Sequence, residues 1–107
     1  MDELERISGG DSAFFEEMLR IFIRSSEEAL TKIQMNLQTA DWNSMSETAH
    51  KLAAPAKHMQ ATVLYNHLKR LENNMENSNP EEIKLLINEI EREIKSINSI
   101  LKQKLEE

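Results

Sequence analysis

His50 is the side chain of this sequence best placed to do chemistry. It lies in Thr48-Ala49-His50-Lys51-Leu52-Ala53-Ala54-Pro55-Ala56, a stretch that reads as the middle of an amphipathic helix. Residues three, four and seven apart share a helix face. Trp42, Met45, Ala49, Leu52, Ala56 and Met59 therefore make an apolar stripe directed at a core. Each residue turns the helix by about 100°, so His50 falls on a flanking stripe with Glu47, Ala54 and Lys57. Ala53 and Ala54 are small, which leaves the helix surface just past His50 nearly bare. A neutral imidazole offers one N–H donor and one lone pair. On such a shelf it is open to close approach by another protein, as a group that hands something to a partner must be.

Other chemistries find little support. His50, His58 and His67 do not make a metal site, because the first two lie on different stripes more than two turns apart. The chain has no cysteine, which excludes disulfides and thiolate ligands and fits a reducing compartment. No Gly-rich phosphate loop, acidic Mg²⁺ cluster or ATP motif is present, and no cofactor is expected. The methionines and phenylalanines read as core filling, not as a cofactor box.

Composition narrows the setting. A net charge of −6 and a pI near 5.1 argue against nucleic acid and against an anionic membrane surface. No run of about 18 apolar residues exists to span a bilayer. Met1-Asp2-Glu3-Leu4 lacks the apolar core of a secretory signal. The length of 107 residues predicts one domain over 1–107 with a small core. With only two glycines and two prolines among abundant Glu, Lys, Leu, Ile and Met, it should be all-α.

Five elements must then position His50. Residues 2–8 predict a short extra helix ahead of the main four, ended by Gly9-Gly10. Asp11 or Ser12 caps a long helix over 12–38, along which Phe15, Met18, Leu19, Phe22, Ser26, Ala29, Leu30, Ile33 and Leu37 recur at threes and fours. Phe14 and Ile23 widen its apolar face. Asp41 caps the His50 helix, expected over 42–59 and interrupted by Pro55, which lacks the N–H that would reach the Lys51 carbonyl. Thr62 is the expected cap of a third helix over 63–76, striped by Leu64, Leu68, Leu71 and Met75. Asn79 as cap, Pro80 at the first helical position and Glu82 reaching back open a fourth helix to about residue 104. Its narrow seam of Ile83, Ile87, Ile90, Ile94, Ile97 and Leu101 suits shallow-angle packing. Short connections between long helices predict an antiparallel up-down-up-down four-helix bundle with a short extra N-terminal helix.

Several of these residues resemble the histidine-containing phosphotransfer (HPt) domains of multistep two-component phosphorelays. Gly9-Gly10-Asp11 with Phe15 is similar to the family's opening, and Asp41-Trp42 to the start of its histidine helix. Ala49-His50-Lys51-Leu52 is similar to the core of its motif, and Leu71-Glu72 to a pair on the following helix. The likeness extends over nearly the whole chain and rests on order and spacing together. Two positions depart from it. Many members carry Lys three residues after the histidine, where it helps balance phosphoryl charge, and Gly four after; here stand Ala53 and Ala54. Pro55 and Lys57-His58-Met59 look like a variant form of the motif found in some hybrid sensor kinases.

The resemblance implies a function. His50 would be the phosphorylated residue, with Glu72 on the next helix holding Nδ1–H so that Nε2 is free to attack phosphorus. Lys51, Ala54 and Lys57 would meet the partner, Lys57 lying two turns from His50 and about 10.5 Å along the axis. The partners would be response-regulator receiver domains, which supply metal and phosphoryl-aspartate. The chain would be a cytoplasmic carrier between receivers without kinase activity of its own, as part of a larger sensor kinase. Two readings stand beside this one. The first is a helical docking module for a receiver that is never phosphorylated. The second is a structural helical bundle, suggested by the isoleucine seam.

Overall fold

The computed structural model describes residues 12–73 and 79–106. They form four helices: α1 (Ser12–Thr39), α2 (Trp42–His58), α3 (Thr62–Asn73) and α4 (Pro80–Glu106). The expected helix over 2–8, the Gly9-Gly10 stop, the Asp11 cap and Met75 lie outside the described residues.

Local chemistry sets where these helices begin. The Asp41 carboxylate accepts from the Ser44 N–H at 3.2 Å, and the Asn79 side chain accepts from the Glu82 N–H at 2.9 Å. Each satisfies one of the orphan donors of a first turn. Thr62 differs from expectation. It is the first helical residue, and the Ala61 carbonyl accepts from the Tyr65 N–H at 2.8 Å.

Two helix ends share one device. Ala40 and Gln60 adopt φ of 54° and 60°. Behind them the Asp41 N–H reaches the Asn36 carbonyl at 2.9 Å, and the Ala61 N–H reaches the Ala56 carbonyl at 3.0 Å. These six-to-one bonds satisfy carbonyls the helix would leave free. A side chain in this left-handed region costs about 1 kcal/mol relative to glycine. The return is a chain reversal within residues 40–41 and 59–61, which makes successive helices antiparallel.

Pro55 does not end α2, which runs on to His58. The proline removes only the bond to the Lys51 carbonyl, and burial of Met45, Ala49, Leu52 and Ala56 on the same helix outweighs a cost of about 3 kcal/mol.

Each helix packs on two neighbours, α1 on α2 and α4, α3 on α2 and α4. Cross-links between α1 and α4 pair Gln34 with Glu91, Ser26 with Asn98 and Glu27 with Lys102. From Ser26 and Glu27 on to Gln34 the partners go back from Asn98 and Lys102 to Glu91, the mark of an antiparallel pair. The result is the expected four-helix bundle. Its centre holds Leu19, Ile33, Met45, Leu68, Ile90 and Ile94.

Two expectations about faces are corrected. Phe14 is exposed, so the wide face of α1 begins at Phe15. On α4 the inward position after Ile94 goes to Asn98, and Ile97 is only partly covered. Asn98 is held there through its Nδ2, which donates to Ser26 Oγ at 2.9 Å, while Ser26 Oγ donates to the Ile23 carbonyl at 3.0 Å; the Asn98 Oδ1 finds no partner among the described residues. A buried polar group without such partners is costly.

Candidate functional site

The turn at residues 59–61 decides what His50 faces. His50 lies ten residues before Gln60 and Glu72 twelve after it. Folding two antiparallel helices about that turn brings them level, roughly 15–18 Å from it at 1.5 Å per residue. His50 Nδ1 and Glu72 Oε2 are 2.8 Å apart. The His50 side chain is 67% exposed and that of Glu72 19%. The imidazole thus stands in solvent on a carboxylate that is mostly covered.

Glu72 is fixed from three directions. Its Oε2 meets His50, its Oε1 accepts from Lys69 Nζ at 2.9 Å, and its backbone carbonyl accepts from Ser46 Oγ at 3.0 Å. Ser46, one turn before His50, thereby ties α3 to α2.

Charge follows geometry. The hydrogen bond from Lys69, and then that from His50, hold the Glu72 carboxyl below its ordinary value of 4.5 against the opposing effect of burial. Glu72 in turn raises Lys69. An ionised carboxylate only accepts, so the Nδ1 of a neutral His50 must carry the proton. Nε2 is left with the lone pair. This is the tautomer a nucleophilic ring needs for attack through Nε2.

The remaining candidates lie around this pair. Lys51, Ala54 and Lys57 are all exposed on α2. The Lys57 ammonium sits 5.7 Å from the centroid of the Tyr65 ring on α3, a distance at which cation and ring attract. Ala53 corrects the expected bare shelf: it is buried, because it follows Ala49 by one turn on the inner face. Only Ala54 leaves the surface beyond His50 low. Among the described residues no group of three or more His, Cys, Asp or Glu is placed to hold a metal.

Three participants went unnoticed in the sequence. Lys69 carried a local signal, since Lys69 and Glu72 are three apart on one helix face. Ser46 carried a weaker one as a neighbour of His50 one turn back. Tyr65 had none, because its place over Lys57 depends on how α2 and α3 pack.

The Hpt domain family model matches residues 17–99. The chain is an Hpt domain. Solved structures agree in fold. The histidine-containing phosphotransfer protein B of Pseudomonas aeruginosa PAO1 is 25% identical, with a TM-score of 0.86 over 96% of this chain and 90% of that one. The HPT domain of a sensor hybrid histidine kinase from Shewanella is 24% identical, with a TM-score of 0.80 over 98% of this chain and 91% of that one. No curated protein matches the sequence significantly. As an Hpt domain, the chain is a phosphotransfer module of two-component phosphorelays, whose partners are receiver domains. No helix among the described residues is long and apolar enough to cross a membrane.

Proposed function

We propose that His50 carries the phosphoryl group of this Hpt domain, taking it from a receiver-domain aspartyl phosphate and passing it to a second receiver. One observation carries the assignment: an exposed imidazole whose Nδ1 lies 2.8 Å from Glu72 Oε2. The Nε2 lone pair forms the N–P bond as the P–O bond to the aspartate breaks, and the electrons leave with that carboxylate. The Nδ1 proton stays in place, facing Glu72, and the carboxylate balances the positive charge the ring acquires. Phosphoryl transfer asks chiefly for alignment and charge stabilisation, and this pair provides both.

The receiver supplies metal and phosphoryl-aspartate, so the domain is a carrier without autonomous kinase activity. Ala54 permits close approach to His50, while Lys51 and Lys57 meet the acidic rim of the partner's site. The same reading makes the domain a cytoplasmic part of a larger sensor kinase.

The test is phosphoryl transfer from a small panel of phosphorylated receivers to the wild type and to His50→Gln. The expected result is an acid-labile, base-stable label on the wild type alone. Label of equal extent on His50→Gln would overturn the assignment.

A further inference from the structure

Glu72 occupies an awkward place for an anion. It lies in the C-terminal part of α3, away from the helix start that would favour a carboxylate. Its side chain is also mostly covered by protein. Left alone, such a group would bind a proton more readily and would choose among several rotamers. The inner turn of α2 beyond His50 offers no compensating cation, because position 53 is a buried alanine. The charge that meets Glu72 comes instead from its own helix, where Lys69 Nζ lies 2.9 Å from Oε1.

We propose that Lys69 is a positioning residue for phosphoryl transfer through His50, acting through Glu72: its ammonium holds Oε1 and thereby directs Oε2 to His50 Nδ1. The proposal rests on His50 as the carrier. It assigns Lys69 two tasks. The first concerns loading, since the ring attacks through Nε2 only while a proton sits on Nδ1, and an ionised, immobilised Glu72 keeps it there.

The second task concerns unloading. Phosphohistidine passes its group on by breaking the N–P bond, with the bonding pair returning to Nε2. If Nδ1 keeps its proton, the departing ring is a neutral imidazole. If Glu72 took that proton, the ring would have to leave as an imidazolate, a far poorer leaving group. A carboxylate whose basicity is lowered by a neighbouring ammonium binds the Nδ1–H without removing it. Lys69 therefore keeps the phosphoryl group transferable in both directions.

The experiment uses the full chain with Lys69→Met and Lys69→Arg, each alone and combined with Glu72→Gln. Receiver-driven labelling and unloading of His50 are timed across pH, and the His50 ring nitrogens are followed by NMR. We expect Lys69→Met to keep its melting temperature and to slow transfer roughly three- to tenfold, the scale of one charge-assisted contact acting through another group. It should also shift the His50 tautomer away from Nδ1–H and move the acid limb attributable to Glu72 to higher pH. Lys69→Arg should restore most of the rate. In the Glu72→Gln background the lysine change should have no further effect, whereas a purely structural role would slow both backgrounds alike. A labelled wild type with Lys69→Met matching it in rate, tautomer and pH profile overturns the positioning role. A wild type that accepts no label overturns the carrier reading itself, a different result.

Discussion

Among the described residues two histidine–glutamate pairs stand in this bundle, and only one presents its imidazole to solvent. His50 and Glu72 join α2 to α3; His67 and Glu93 join α3 to α4. The contact is the same in both, Nδ1 to a carboxylate oxygen at 2.8 Å. The surroundings differ. The His67 side chain is 21% exposed and that of Glu93 17%, whereas His50 projects into solvent. Glu72 has a second charged partner in Lys69, and among the described residues Glu93 has none besides His67. The same pair of groups thus clamps two helices at one place and presents an open imidazole at the other. A carboxylate that sets the tautomer of an imidazole is common to both; a free approach to the other ring nitrogen is what separates them.

The sharpest way to break this comparison is to exchange the histidines one at a time. His50→Gln should lose all stable label from phosphorylated receivers, while His67→Gln should be labelled at a rate within about twofold of the wild type, as expected of a side chain outside the transfer path. Label that depended on His67 would erase the distinction.

Stability should show the reverse order. His67→Ala strands Glu93 between two helices and should cost about 1–2 kcal/mol, or roughly 4–8 °C in melting temperature per kcal/mol for a domain of this size. His50→Ala removes an exposed side chain and should stay within about 0.5 kcal/mol of the wild type. Thermal denaturation of the two variants side by side measures both.

A smaller effect separates the carboxylates by pH. The folded state lowers the Glu72 carboxyl below its ordinary 4.5. Such a group binds fewer protons folded than unfolded, so its contribution is fully present above the ordinary carboxylate value. It is lost as pH falls through the lowered one. The melting-temperature gap between wild type and Glu72→Gln should therefore be flat from neutral pH to about that ordinary value and close only below it. A gap that closed well above it would mean that Lys69 and His50 do not hold the carboxylate ionised.

The smallest effect concerns the turn that sets the first pair in register. Gln60 carries a side chain at φ 60°, and Gln60→Gly should stabilise the fold by up to about 1 kcal/mol. Transfer through His50 should be unchanged, because the turn keeps its shape. Slower transfer in that variant would show that the turn bears on the site beyond its register.

Much of this was legible along the chain. Apolar residues at threes and fours marked all four described helices, and Asp41, Asn79 and Pro80 marked two of their starts, because caps and amphipathic stripes are local. Thr62 misled because a threonine before an apolar run fits either the cap or the first turn, and backbone geometry chooses. Phe14 and Ile97 misled because residues one apart on a helix differ by only about 100°, so the edge of a buried face depends on how closely the neighbouring helix approaches.

The sequence by itself determined the helices, their antiparallel order and a histidine on a flank beside small residues. Those follow from periodicity, capping and loop length, which act within a few residues. Tertiary structure decided the rest. It alone closed the Ser46 bond onto α3, carried Lys57 over Tyr65 and buried Ala53. It alone left His50 open while covering His67. The physical reason is that exposure and cross-helix distance belong to the packing of whole helices, fixed by every side chain in the core between them.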